Sequence, residues 1–143
     1  MAQALRLAAR AESLGEVPVG AIVVLADEVV GQGWNQPVSR HDPSAHAEII
    51  AIRDAARRLG NYRLTGASLY VTLEPCIMCA GAILHARIDR LIFGARDAEF
   101  GAAGSALNLV ESAFLNHRAA VTAGVMEQES SQLLRAFFAA RRG

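Results

Sequence analysis

β-rich runs and helical periods alternate along the chain, and this alternation constrains the fold more than any other feature. Residues 2–14 set Leu5, Ala8, Ala9 and Leu14 among Arg6, Arg10 and Glu12, a helical period closed by Gly15. Residues 19–25 form a continuous β-rich run, Asp27-Glu28 makes a turn, and residues 29–34 return as a second strand of a hairpin. Residues 35–42, with Pro37 and Ser39, read as a loop. Asp42-Pro43 has the form of an N-cap followed by proline at the first helical position, which predicts a helix to about Leu59, before Gly60. A third strand over 68–73 ends at Pro75, a helix follows from Cys76 to about Arg87, and a strand over 91–93 stops at Gly94. Residues 95–106 are small and Gly-rich, a loop of the kind that lies near functional sites. A short strand is predicted at 121–125 and a last helix at 126–142, with Leu133, Leu134, Phe137 and Phe138 on one side. The alternation predicts an α/β fold, a three-layer α/β/α sandwich on a sheet of about five strands, which the opening hairpin makes mixed.

Composition narrows the class. A chain of 143 residues suits one compact domain over 1–143, long enough to bury a core without disulfide staples. Its 52% hydrophobic content excludes a disordered segment, and no apolar run is long enough to span a bilayer. Arg6, Arg10 and Glu12 interrupt the apolar residues at the start, so no secretory leader is expected and the expected compartment is the cytoplasm. Net charge is zero, which argues against a strongly electrostatic nucleic-acid binder. Yet all fourteen basic residues are arginine, which pairs with phosphate in bidentate fashion and stacks on bases, so a neutral chain can still concentrate a binding face.

Two short motifs carry chemistry. His46-Ala47-Glu48 and Pro75-Cys76-Ile77-Met78-Cys79 each stand at the predicted start of a helix. Cysteines three apart in a first helical turn lie about 60° apart around the axis, so both sulfurs reach one ion. The positive end of the helix dipole favours the thiolate that zinc requires. His46 supplies a third ligand from the other helix. Glu48, two residues on, is about 200° around a regular helix, so His46 and Glu48 must both address a point off the helix end. Three ligands suit a catalytic zinc, whose fourth position is left to water, whereas a structural zinc wants four. For a fourth protein ligand, His85 points away along its helix, while His41 and His117 remain open. A redox pair at Cys76 and Cys79 would leave His46-Ala47-Glu48 unexplained. Zinc would activate the water, and Glu48 would pass its proton to a ring nitrogen and then to a departing amine.

The chain is similar over nearly its whole length to the zinc deaminase superfamily, and more narrowly to the bacterial tRNA-specific adenosine deaminases. The resemblance rests on the two motifs and on flanking blocks. These include Glu16-Val17-Pro18-Val19-Gly20-Ala21, Arg40-His41-Asp42-Pro43, Asn61-Tyr62-Arg63-Leu64, Thr72-Leu73-Glu74-Pro75, Phe93-Gly94-Ala95-Arg96-Asp97 and Asn116-His117-Arg118. It implies one zinc per chain, a homodimer, and conversion of the wobble adenosine of an arginine tRNA anticodon to inosine. It further implies that Asn35 contacts the flipped nucleoside, that Asp97 helps hold the anticodon strand, and that Phe138 and Arg142 stack on or clamp neighbouring nucleotides. Arg40 is a candidate phosphate contact. The pattern departs at Glu99, where the family usually carries lysine, and at the bulky Phe100. Two other readings are a deaminase of free bases or nucleosides, and a catalytically dead RNA-binding subunit, against which the retention of Glu48 argues.

Overall fold

The computed structural model describes residues 1–112 and 116–142. Along the chain run α1 (Ala2–Ser13), β1 (Gly20–Leu25), β2 (Glu28–Trp34), α2 (Pro37–Arg40), α3 (Ala47–Leu59), β3 (Ser68–Leu73), α4 (Ile77–His85), β4 (Arg90–Ala95), β5 (Ala120–Thr122) and α5 (Glu127–Arg142). The strands form one sheet in the order β2-β1-β3-β4-β5. β1 is antiparallel to both β2 and β3, while β3, β4 and β5 run parallel. The predicted mixed sheet is therefore present. Its core is built from Val23, Leu69, Val71, Leu91 and Phe93 in the strands, with Ala51, Ala55 and Ile83 from the helices, all fully buried. Each large apolar side chain so buried stabilises the fold by about 1.5–3 kcal/mol.

α1 and α5 lie together against the sheet, and α3 and α4 lie together on the other side. Glycine sets how closely α3 approaches. A Cβ on Gly33 would fall 2.5 Å from the Ala47 carbonyl, and one on Gly31 would fall 2.4 Å from that of Ala51. Only hydrogen fits between β2 and α3, and this contact fixes the height of the helix end that carries His46.

The structure moves several predicted boundaries. The hairpin turns at Ala26 and Asp27, both at positive φ (51° and 64°), one residue before the predicted turn. The segment read as a loop over 35–42 contains the one-turn helix α2. The helix predicted from Asp42-Pro43 begins instead at Ala47. Asp42 Oδ1 accepts the Ser44 amide (2.9 Å) and hydroxyl (2.7 Å), so its capping capacity is used in a local turn. β5 is shorter than predicted and ends before Gly124, which sits at φ 82°. On α5, Phe137 is 5% exposed but Phe138 is 43% exposed, so the predicted apolar side narrows and Phe138 stays at the surface. Among the described residues no helix is long and apolar enough to cross a membrane.

Candidate active site

The N-terminal ends of α3 and α4 meet. His46 is the N-cap residue of α3 and Cys76 that of α4, both with extended backbones, and neither side chain caps its own helix. Imidazole and thiol are thereby left to a shared ligand. Asn35 does the capping at α3 in place of His46, its Oδ1 accepting the Ala47 amide at 2.8 Å. Because His46 precedes the first helical residue, the 200° separation from Glu48 does not apply. His46 at the cap and Glu48 in the first turn both face the region off the helix end, as the sequence requires.

His46 Nδ1 lies 3.7 Å from Cys76 Sγ and 3.5 Å from Cys79 Sγ, and the three donors lie within 4.8 Å of one another. Tetrahedral zinc, with Zn–S about 2.3 Å and Zn–N about 2.0–2.1 Å, needs sulfur and nitrogen about 3.6 Å apart. The donor set fits zinc in both chemistry and spacing. Among the described residues no fourth His, Cys, Asp or Glu joins the cluster. His117 Nε2 is bonded to the Ile88 carbonyl at 2.7 Å, His41 is an exposed left-handed residue closing α2, and His85 ends α4 exposed. This is the three-ligand arrangement of a catalytic centre.

The electrostatics suit a cation. Hydrogen bonds from Cys79 and His46 hold the Cys76 thiol well below its ordinary range, while the bond to Cys76 and burial push Cys79 up. The same Cys76 contact raises His46. Glu48 is only 4% exposed, and burial pushes its carboxyl up to about 7. A carboxyl so placed can both hold and release a proton near neutral pH.

A cavity of about 380 Å³ opens over these groups, lined by His46, Glu48, Cys76, Asn35, Asp97 and Phe100, with Val17, Val19, Pro37 and Leu73 as apolar wall. That volume suits a single base, and the lining is the usual one of apolar surface around a few convergent polar groups. The structure thus gathers Asn35, His46, Glu48, Cys76 and Asp97 into one site. Phe138 lies outside it, in an adjoining cavity of about 400 Å³ that shares Val17, Leu73, Asp97 and Phe100. Arg40 lines a separate groove beyond α2, and Arg142 is exposed at the end of α5. Glu99 is exposed too, and Phe100, 68% exposed, stands at the rim common to the two cavities.

Two buried carboxylates that the sequence reading gave no role hold the walls. Glu74, 2% exposed, accepts the amides of Asp97 (3.1 Å), Ala103 (3.0 Å) and Ser105 (3.0 Å) and the Ser105 hydroxyl. Glu16, 1% exposed, accepts the amides of Val38 (3.1 Å) and Ser39 (2.7 Å) and the Ser39 hydroxyl (2.8 Å). Burial alone would raise both carboxyls, but these hydrogen bonds outweigh it and hold both below the ordinary value. The available signal was an acid wedged against apolar residues, Leu73-Glu74-Pro75 and Glu16-Val17-Pro18, where a solvated carboxylate is out of place.

Residues 1–95 match the model of the cytidine and deoxycytidylate deaminase zinc-binding region. The chain belongs to that deaminase family. Within it, the chain is 54% identical to a tRNA-specific adenosine deaminase of Haemophilus influenzae, covering 99% of this chain and 83% of the relative. It is 44% identical to that of Bacillus subtilis, covering 96% of this chain and 86% of the relative. A structure from work on A-to-I editing by tRNA:A34 deaminases superposes with a TM-score of 0.88 at 45% identity, covering 92% of this chain and 95% of the other. His46, Cys76 and Cys79, with the starts of α3 and α4, all lie inside the matched residues.

Proposed function

We propose that this deaminase converts the wobble adenosine of a tRNA anticodon to inosine, releasing ammonia, and that its preferred substrate is an arginine tRNA. The observation that carries the reading is the convergence of His46, Cys76 and the buried Glu48 on one base-sized cavity. Relatives and the matching structure named for tRNA adenosine deamination support the choice of substrate. When bound by His46, Cys76 and Cys79, zinc supplies a water made acidic enough to attack near neutral pH. Glu48 would take one proton of the attacking water and deliver it to the ring nitrogen beside the amino-bearing carbon, and would carry the water's second proton to the departing amine. Water and adenosine thus become inosine and ammonia.

The cavity walls do the positioning. Val17, Val19, Pro37 and Leu73 exclude bulk water from the base, which strengthens the polar contacts inside. Asn35, its Oδ1 engaged with α3, keeps its amide N–H groups for the nucleoside. Asp97 braces the turn to Glu99 and Phe100 through Oδ1 and faces the anticodon strand at the cavity wall. Phe138 offers an exposed ring beside the cavity for a neighbouring base, with Arg142 near the helix end as a clamp and Arg40 as a phosphate contact. The enzyme works as a homodimer, a reading supported by the apolar surface around Ile77 (61% exposed), Leu84 and Leu109.

An anticodon loop has little stacking to lose when a base is splayed out, and its neighbouring nucleotides supply the energy that fixes the base. tRNA transcripts, an isolated anticodon stem-loop and free nucleosides, incubated side by side, should therefore give inosine at the wobble position and almost no reaction of the nucleosides. Rapid ammonia release from guanine or cytosine with no inosine in tRNA would assign the cavity to a free base.

A further inference from the structure

We infer that the groove between α3 and the edge strand β2 binds the phosphate backbone of the RNA whose base enters the cavity. The inference rests on the tRNA deaminase reading and assigns it a second contact surface. The groove, about 260 Å³, is lined by Gln32 and Trp34 of β2, by Arg40 of α2, and by Arg53, Asp54 and Arg57 of α3. All three arginines are exposed, and none makes a salt bridge among the described residues. The Arg40 Nε donates to Gln36 Oε1, which orients the guanidinium and leaves its other N–H groups to a ligand. Arg10 reaches the same wall from α1, its guanidinium stacked 4.4 Å over the Trp34 ring.

Two acids nearby offset only part of this charge. Asp54 is bound to Arg58 at 3.1 Å and accepts the Gln32 amide, and Asp42, held by Ser44, lies in the field of Arg53 and Arg40. A helix built for its own stability would alternate acids and bases four apart. On α3 only Asp54 and Arg58 do so, while Arg53 and Arg57 sit one turn apart on the groove side and form no salt bridge among the described residues. In a chain of zero net charge, this concentration of guanidinium groups on one face is a local feature.

Position links the groove to the chemistry. The segment 35–40 is a shared wall, since Asn35 and Pro37 line the cavity while Gln36 and Arg40 line the groove. A strand that turns one base past Asn35 therefore leads its backbone over α2 towards Arg53 and Arg57. Guanidinium forks bind phosphate in this way without reading sequence.

The test compares wild type, R53Q/R57Q and R53K/R57K, each checked for zinc content, using a fluorescent arginine-tRNA transcript titrated across a salt series. R53Q/R57Q should lower the slope of log Kd against log salt by about 2. It should also raise KM for inosine formation while leaving kcat at saturating tRNA unchanged. R53K/R57K, which keeps the charge, should keep the slope. Should R53Q/R57Q fail to fold, the single R57Q near the helix end should lower the slope by about 1. A wild-type slope in the glutamine variants would overturn the inference and reduce the arginines to guards of the sheet edge, as would loss of slope in R53K/R57K. The two readings fail separately. A wild type that binds tRNA yet makes no inosine defeats the deaminase reading while the slopes still decide the groove. Inosine formation with unchanged slopes defeats only the groove.

Discussion

The carboxylate of Glu74 accepts the backbone amide of Asp97 at 3.1 Å, and so ties the loop at the cavity wall to the segment between β3 and the start of α4, where Cys76 stands. The same carboxylate receives Ala103 and Ser105, and Gly101 must lack a side chain because a Cβ there would fall 2.5 Å from Glu74 Oε2. Glu74→Ala strands three backbone donors. It should lower stability by about 1–3 kcal/mol and raise KM for tRNA more than it lowers kcat. Urea unfolding and steady-state kinetics check this. Wild-type values in both would show that the loop holds itself.

Among the described residues Glu48 is the one buried carboxylate of the cavity that holds no backbone loop, which leaves it to the proton. Glu48→Gln should keep the metal and the melting temperature while turnover falls at least ~10²-fold. Near-normal turnover in zinc-replete protein would move the proton shuttle elsewhere.

Glu16 gives a pH prediction of definite sign. Its folded carboxyl is held below the ordinary value of 4.5, although burial opposes this, by Ser39 and Val38. The stability it contributes is fully present above the unfolded value and is lost as pH falls through the lower, folded one. The melting-temperature difference between wild type and Glu16→Gln should therefore be constant from neutral pH to about 5 and shrink below about 4. A gap that persists undiminished into strong acid would mean that Glu16 acts through shape and not charge.

How much of this was legible in the sequence depends on how far apart the partners lie. His46, Cys76 and Cys79 were legible because each motif is local and marks a helix end, where ligands and dipole act together. The sheet and its mixed character followed from β-rich runs separated by helical periods. The start of α3 was misplaced because Asp42 carries a capping signature that Ser44 satisfies within two residues. The role of Glu74 was hidden because its partners lie 23 to 31 positions away. The groove was hidden for the same reason, since Arg40 and Arg57 meet only through the packing of α2 and α3 beside β2.

That packing is itself testable at Gly33. Gly33→Ala places a methyl group 2.5 Å from the Ala47 carbonyl, against backbone that cannot turn aside. The variant should lose about 1–3 kcal/mol of stability. It should also bind zinc more weakly, because His46 rides on the displaced helix end. Unaltered stability and metal affinity would contradict the role assigned to this contact.

The central claim is that His46, Cys76 and Cys79 hold one zinc on which deamination depends. Its most direct test is stoichiometric. Chelator-stripped protein is titrated with zinc while inosine formation in an arginine tRNA transcript is followed, with Cys76→Ser and Cys79→Ser in parallel. Activity should rise in proportion to metal and stop rising at one equivalent per chain, and neither serine variant should recover. Full activity in protein shown to contain no zinc, or recovery in both serine variants, would contradict the account.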